Sequence, residues 1–369
     1  MKKLCFITAT RAEYGLLKWI MKDVEVCDKF CLQIIVTGAH LLLDQGHTID
    51  TIKEDGFSIS DIVDITLDST SMESIADSMG KMAQAFSHSF AKLSPDYIII
   101  LGDRYELLPI ANTAFVMRIP IIHISGGDVT EGAIDDGIRN AITMLADYHF
   151  PGTKESANNI IRMRGTDKNV WTVGEPGLDS FYRERLYSRK ELGNILHLDL
   201  NKKWVLFTFH PETKESLNYN LSTVEICLDL LLSFDTFQVI ATYSNTDFGG
   251  KQINDCLETV ASLNPNKFIL IPSLGNKKYL SLMKQVAFVI GNSSSGIVET
   301  PSLGVPTINI GNRQKGRHQC KNIYQSDASK GSLSKIINYV TQIQDKQVDN
   351  YWGDGHTSER IISILSKEL

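Results

Sequence analysis

Two neighbouring apolar runs constrain this chain more than anything else in it. Residues 97–101 read Tyr-Ile-Ile-Ile-Leu and break into Gly102-Asp103-Arg104-Tyr105-Glu106. Residues 119–124 read Ile-Pro-Ile-Ile-His-Ile and break into Ser125-Gly126-Gly127-Asp128. Both runs are short and rich in β-branched residues, so each reads as a strand buried on both faces. Such strands belong to parallel sheets covered by helices. In those sheets, functional groups sit where the chain leaves the carboxyl end of a strand. The stretch 121–139, IIHISGGDVTEGAIDDGIR, follows that plan with a strand, a Gly-Gly turn, an acidic loop and a helix opening at Asp135-Asp136. Asp103, Asp128, Glu131 and Asp135 are therefore expected along one sheet edge. His123, inside the apolar run, reads as a core histidine.

The same alternation runs along the chain. Strands are expected at 4–8, 32–36, 62–67, 148–150 and 170–173, with a long amphipathic helix at 72–93. After Gly177 a polar, helix-like stretch (178–192) marks a boundary. Strands resume at 204–209, 239–243, 267–271, 287–290 and 306–310, and a helix over 356–369 closes the chain. A length of 369 residues suits two domains. The expectation is an α/β protein: two Rossmann-like doubly wound domains facing a cleft, residues 1–177 and 178–353. The C-terminal helix 354–369 is expected to join the first.

Composition narrows the function. A net charge of −6 argues against nucleic acid or a membrane surface as partner. No apolar run is long enough to span a bilayer, and the opening MKKLCFIT reads as a strand rather than a secretion signal. The six cysteines contain no CxxC pair and read as reduced thiols of a cytoplasmic protein, with no metal site. There is no GxGxxG fingerprint and no Walker loop, so no nucleotide cofactor is expected.

The strongest binding signal is Gly291-Asn292-Ser293-Ser294-Ser295-Gly296, between an apolar strand and a helical stretch. Small residues let backbone approach an anion, and hydroxyls and helix N-terminal amides favour one. A plain serine N-cap would look the same. Arg11, His210 and Arg313, each at a strand tip, raise the reading to phosphate. Glu299, just beyond the serines, is placed to accept ribose hydroxyls, or to interact with the helix terminus.

The stretches TATRAEYGLL, LGDRYE, GGDVTEGAIDDGIR, FHPET, GNSSSGIVE and GNRQKGR occur in this order over nearly the whole chain. Together they resemble the UDP-N-acetylglucosamine 2-epimerase family, in the hydrolysing branch that feeds sialic-acid-type sugars. The resemblance implies a GT-B-like fold with UDP bound mainly by the second domain. It places Arg11, His210, Asn245, Ser273, Ser293, Ser294, Glu299 and Arg313 at UDP, and Arg104 near the first-domain side. Asn292, Ser295 and Gly296 belong with the serine loop. Ser125 and Arg139 are expected at the ligand, Arg139 also standing one helical turn from Asp135 or Asp136 where it could hold either carboxylate, and Asp103 and Asp135 match the catalytic acids. The implied partners are a UDP-sugar substrate, UDP as product and further copies of the chain in a dimer or tetramer.

The implied reaction converts UDP-N-acetylglucosamine and water to N-acetylmannosamine and UDP. Anti elimination of UDP gives a 2-acetamidoglucal, and hydration with a proton on the opposite face of C2 completes it. Positioned carboxylates suit the proton transfers, and His210 serves as phosphate ligand or proton donor. The chain departs from the branch at Ser125, where the branch has a glutamate, and at Asn140, where it has a histidine. Glu131 or Asp128 is expected to supply the missing carboxylate. The LGDRYE and TEGA spellings lean toward relatives acting on UDP-2,4-diacetamido-trideoxy sugars, the legionaminic-acid route. A GT-B glycosyltransferase, a non-catalytic nucleotide-sugar-binding protein and a non-hydrolysing epimerase that returns UDP-N-acetylmannosamine intact are the rival readings.

Overall fold

The computed structural model describes residues 1–43, 47–65, 68, 71–245, 247–343 and 347–369. It divides into two units. The first is Met1–Asp128, Asp135–Arg183 and Trp352–Leu369; the second is Val129–Ile134 and Glu184–Tyr351.

Among the described residues, the first unit holds a six-stranded sheet of β1 (Lys2–Thr8), β2 (Phe30–Thr37), β3 (Asp61–Val63), β4 (Tyr97–Leu101), β5 (Ile121–Ile124) and β6 (Tyr148–Phe150). The order is β3-β2-β1-β4-β5-β6, and every pairing is parallel. The central strands bury both faces. Leu4 and Phe6 of β1 pack with Leu17 and Ile20 on one side. Cys5 and Ile7 pack with Phe86 and Phe90 on the other. Fully burying one such large apolar side chain contributes roughly 1.5–3 kcal/mol. The helix Thr357–Glu368 adds Ile361 and Leu365 to the first of these cores. Its first amides are capped by Asp179, which accepts from the N–H of Thr357 at 2.9 Å and of Ser358 at 2.7 Å.

The second unit repeats the plan with β7 (Lys203–Thr208), β8 (Phe237–Thr242), β9 (Phe268–Ile271), β10 (Phe288–Gly291), β11 (Thr307–Ile310) and β12 (Ile323–Ser326). The order is β12-β11-β10-β7-β8-β9, again all parallel. Alternate residues of β7 face opposite cores, Val205 and Phe207 on one side and Trp204 and Leu206 on the other. Among the described residues, no helix is long and apolar enough to cross a membrane.

The structure differs from the sequence reading in several places. The strand expected at 62–67 is Asp61–Val63, and Thr66 and Leu67 lie outside the described residues. Residues 170–173 form only a single bridge, Val170 with His149. Asn169 there is left-handed, and Pro151 opposite has no N–H to return, so the ladder cannot extend. β12 was not expected: Ile-Tyr-Gln-Ser is too mixed to read as a buried strand, because it is an edge. The stretch 178–192 is broken. A capping box between Ser188 and Glu191 starts a new helix, Arg189–Leu196, after the short turn of helix Asp179–Arg183.

The division also differs from 1–177 and 178–353. Asp179 caps the C-terminal helix, and Arg183 pairs with Asp23 at 2.6 Å, so both belong to the first unit. Val129–Ile134 belongs to the second. There Glu131 N–H donates to Lys315 O at 2.9 Å and Ile134 N–H to Thr213 Oγ1 at 3.1 Å.

Candidate functional site

In the first unit, the strand ends converge on Arg139. This side chain has no exposed surface. Its guanidinium donates to Asp103 Oδ2, to the Asp128 carbonyl at 2.7 Å and to Asp136 Oδ1 at 3.4 Å. Burial works against its charge, but Asp103, Asp128 and Asp135 outweigh that and raise its pKa. A charge buried this way must be paired, and one guanidinium here balances carboxylates from two strand ends and a helix start. Arg139 thus holds Asp103, Asp136 and the Asp128 backbone together.

Gly102, at φ 85°, turns the chain out of β4 and delivers Asp103. Asp128 is buried and accepts from Ser156 Oγ at 2.6 Å. Asp135 stands half-buried at the start of helix Asp135–Leu145. Ser125 follows β5 in a left-handed conformation, φ 57°, and donates to Glu175 Oε2 at 2.8 Å. His123 is fully buried. Its Nε2 meets the Gly102 carbonyl at 2.9 Å and its Nδ1 the Thr143 hydroxyl at 3.2 Å, and burial pushes its pKa down to about 4. It is a neutral core histidine.

Arg11 opens the helix Arg11–Val26, capped by the Thr10 hydroxyl. Arg104 pairs with the buried Glu106 at 2.9 Å. Beside them Glu13 accepts from Ala9 N–H at 2.7 Å, and its carboxyl is pushed up to about 8, chiefly by burial.

Glu131 lies elsewhere. In the second unit it forms an exposed ion pair with Lys315 at 2.8 Å, which holds it below the usual carboxylate range. Gly132 lies directly against the Asn312 carbonyl, where a Cβ would stand at 2.1 Å. The chain leaves the Arg139 cluster at Asp128 and returns at Asp135, so Glu131 is taken up by the loop around Lys315 and not by Arg139.

The second unit holds His210, Asn245, Ser273, the serine loop, Glu299 and Arg313, whereas Arg11 and Arg104 lie in the first. His210 follows β7, and its ring accepts from Asn245 N–H at Nδ1, 3.1 Å away. In the neutral ring the proton therefore sits on Nε2. Asn292 is fully buried, and its amide holds both backbone polar groups of His210. Asn292 therefore holds the His210 backbone in place. Its own carbonyl accepts from Arg313 at 3.3 Å and Gln314 at 2.9 Å. The Asn245 side chain is bound to Asp247 at 2.5 Å. Ser273 stands half-buried just beyond β9.

The serine loop is tighter than the sequence suggests. Ser293 Oγ accepts from Ser295 N–H at 3.4 Å, and Ser294 precedes a single helical turn, Ser295–Val298. Gly296 is buried beneath Thr307, where a Cβ would stand 3.0 Å from its methyl. Glu299 is 9% exposed, and burial pushes its carboxyl up to about 7. Among the described residues its Oε2 has no hydrogen-bond partner. A buried acceptor left open is what a ligand hydroxyl would complete.

Two residues escaped the sequence reading. Glu212 is buried, and its carboxyl, raised chiefly by burial, accepts the Asn312 N–H that precedes Arg313. Gly311 makes room for it. Glu175, 7% exposed, is the partner of Ser125. The available signals were a charged residue inside FHPET and another in the tip Gly174-Glu175-Pro176-Gly177.

The model of the family described as UDP-N-acetylglucosamine 2-epimerase matches residues 22–366. The chain belongs to that family. It is 38% identical, over 88% of its length and 84% of the relative's, to a Campylobacter jejuni protein named GDP/UDP-N,N'-diacetylbacillosamine 2-epimerase (hydrolyzing). It is 30% identical to the Legionella pneumophila UDP-N,N'-diacetylbacillosamine 2-epimerase (hydrolyzing), over 99% and 96%. The fold matches the Methanocaldococcus jannaschii UDP-GlcNAc 2-epimerase, solved with UDP-GlcNAc and UDP, at a TM-score of 0.83, 19% identity and 99% coverage of both chains. Both of these curated relatives carry names of the hydrolysing branch, and the two six-stranded parallel sheets are the GT-B-like architecture.

Proposed function

We propose that this chain is a hydrolysing UDP-sugar 2-epimerase whose substrate is a UDP-2,4-diacetamido-2,4,6-trideoxyhexose. The names of the two relatives at 38% and 30% identity support that sugar. UDP-N-acetylglucosamine is the second reading, favoured by the ligand bound in the structural relative.

The observation that carries the reaction class is the buried Arg139 holding Asp103 and the Asp128 backbone at the ends of β4 and β5. Carboxylates fixed at strand ends suit removal and return of a proton at C2. His210, Arg313 and Glu299 suit a departing nucleoside diphosphate and its ribose. A UDP-sugar makes both demands. In the proposed sequence a carboxylate takes the C2 proton while the C1–O bond breaks and UDP leaves with the bonding electrons. Water then adds to C1 of the glycal, and C2 receives a proton on the opposite face. The net change is UDP-sugar plus water to UDP plus the manno-configured sugar.

The test is incubation with UDP-N-acetylglucosamine and with the UDP- and GDP-linked diacetamido sugars. Free nucleotide and released sugar are read by mass spectrometry. Release of the free 2-epimer from a UDP-diacetamido sugar supports the reading. Return of an intact nucleotide-linked epimer, or transfer only to an added acceptor, would replace it.

A further inference from the structure

Ser125 is built into the first unit with more care than a turn residue needs. It carries a side chain at φ 57°, a conformation that is strained for a residue with a Cβ, between β5 and two glycines that would adopt it freely. Strain of this kind persists only where surrounding bonds enforce it. Here Ser125 N–H donates to Phe150 O at 3.0 Å, and its hydroxyl donates to Glu175 Oε2 at 2.8 Å.

Glu175 is itself a prepared group. It is 7% exposed, and its own N–H is fixed to Trp352 O at 2.8 Å. Gly152 leaves the space that its carboxyl fills: a Cβ there would stand 1.9 Å from Oε1. A buried carboxylate needs donors, and the serine hydroxyl is one of them. A hydroxyl has a single proton. Once that proton is given to Glu175, the Ser125 oxygen has only acceptor capacity left. Ser125 is half-buried, at the strand end that also carries Asp128.

The geometry points to Glu175 as a positioning residue: by taking the hydroxyl proton it makes Ser125 a pure acceptor, which selects the amide N–H of an acetamido sugar. This inference rests on the UDP-acetamido-sugar reading given above.

The test uses the full chain and three variants. Ser125→Ala keeps the Cβ and the backbone strain and removes only the hydroxyl. Glu175→Gln removes the charge that claims the proton. Gly152→Ala puts a methyl where Glu175 Oε1 lies. Steady-state kinetics with the UDP-acetamido sugar turned over by wild type should show KM raised about three- to tenfold in each variant. The rise in kcat/KM loss should come from KM, and UDP affinity by calorimetry should stay at the wild-type value. The double variant Ser125→Ala with Glu175→Gln should be no worse than either alone, since both remove one interaction. Unchanged KM, additive losses, or falls in kcat and melting temperature without a KM change would overturn the proposal while leaving the epimerase reading intact. If wild type binds UDP but turns over no UDP-sugar, the epimerase reading fails instead. The pair is then judged by whether the same variants weaken binding of UDP-N-acetylglucosamine relative to UDP.

Discussion

Both backbone polar groups of His210 are held by the Asn292 side chain: the His210 N–H donates to Oδ1 and its carbonyl accepts from Nδ2, each at 2.8 Å. Removing that amide leaves two groups without partners, at about 1–3 kcal/mol each if they remain dry. We predict that Asn292→Ala weakens UDP binding by about tenfold or more. Isothermal calorimetry decides it. UDP affinity equal to wild type, in a folded variant, would mean that His210 does not depend on Asn292 for its aim.

Arg139 is the counter-ion of a crowded acidic cluster. Removing one partner of a buried charge set costs about 3–5 kcal/mol. Arg139→Met is therefore expected to lower stability by that order, measured by urea unfolding at neutral pH. Asp103→Asn leaves Arg139 the Asp136 carboxylate and the Asp128 carbonyl, and is expected to cost less stability but most of the turnover. Equal unfolding midpoints for Arg139→Met and wild type would show that the cluster is balanced by other means.

Glu299 gives a pH dependence with a definite sign. Its folded pKa is raised by burial to about 7, from a model-compound value of 4.5. The folded state thus holds the proton more tightly. The associated stability is full below the unfolded value and is lost as pH rises toward about 7. Glu299→Gln has no proton to lose. Relative to it, wild type should fall in stability between about pH 4.5 and 7 by a few kcal/mol at most. Paired melting curves across that range check this. A gap between the two proteins that does not change with pH would contradict it.

Gly311 lets the Glu212 carboxyl reach the amide before Arg313. A Cβ there would stand 1.8 Å from Glu212 Oε1, at a backbone φ of 71°. Gly311→Ala is expected to lower both the melting temperature and the affinity for UDP, because the loop carrying Arg313 must move. Loss of stability alone, with UDP affinity kept, would separate this glycine from the phosphate end.

Much of the fold was legible because both sheets are buried on two faces, so their strands are continuous apolar runs. The edge strand β12 was not legible, since Ile-Tyr-Gln-Ser owes its place to a neighbour and not to its own pattern. At the candidate site, strand-tip chemistry pointed to Asp103, His210 and Arg313. Helical spacing also put Arg139 within reach of Asp136, but nothing local showed that it would hold Asp103 as well. Nor did anything local show that the Asn292 amide would hold the backbone of His210. Glu131 shares a loop with Asp128 and Asp135 but is claimed by Lys315, a partner almost two hundred residues away in sequence. Glu175 reaches Ser125 in the same long-range way. Pairings of this kind are set by tertiary packing and leave no local periodicity to read.

Carboxylates at the end of β4 (Asp103) and at the start of the helix Asp135–Leu145 (Asp135) are expected to move the C2 proton of a UDP-sugar. Turnover in heavy water, followed by mass spectrometry and proton NMR of the released sugar, tests this assignment directly. The product is expected in the manno configuration with one deuterium at C2. Asp103→Asn and Asp135→Asn are each expected to lose about a hundredfold or more in turnover, with UDP affinity near wild type. Manno product without deuterium at C2, or full activity in both variants, would contradict it.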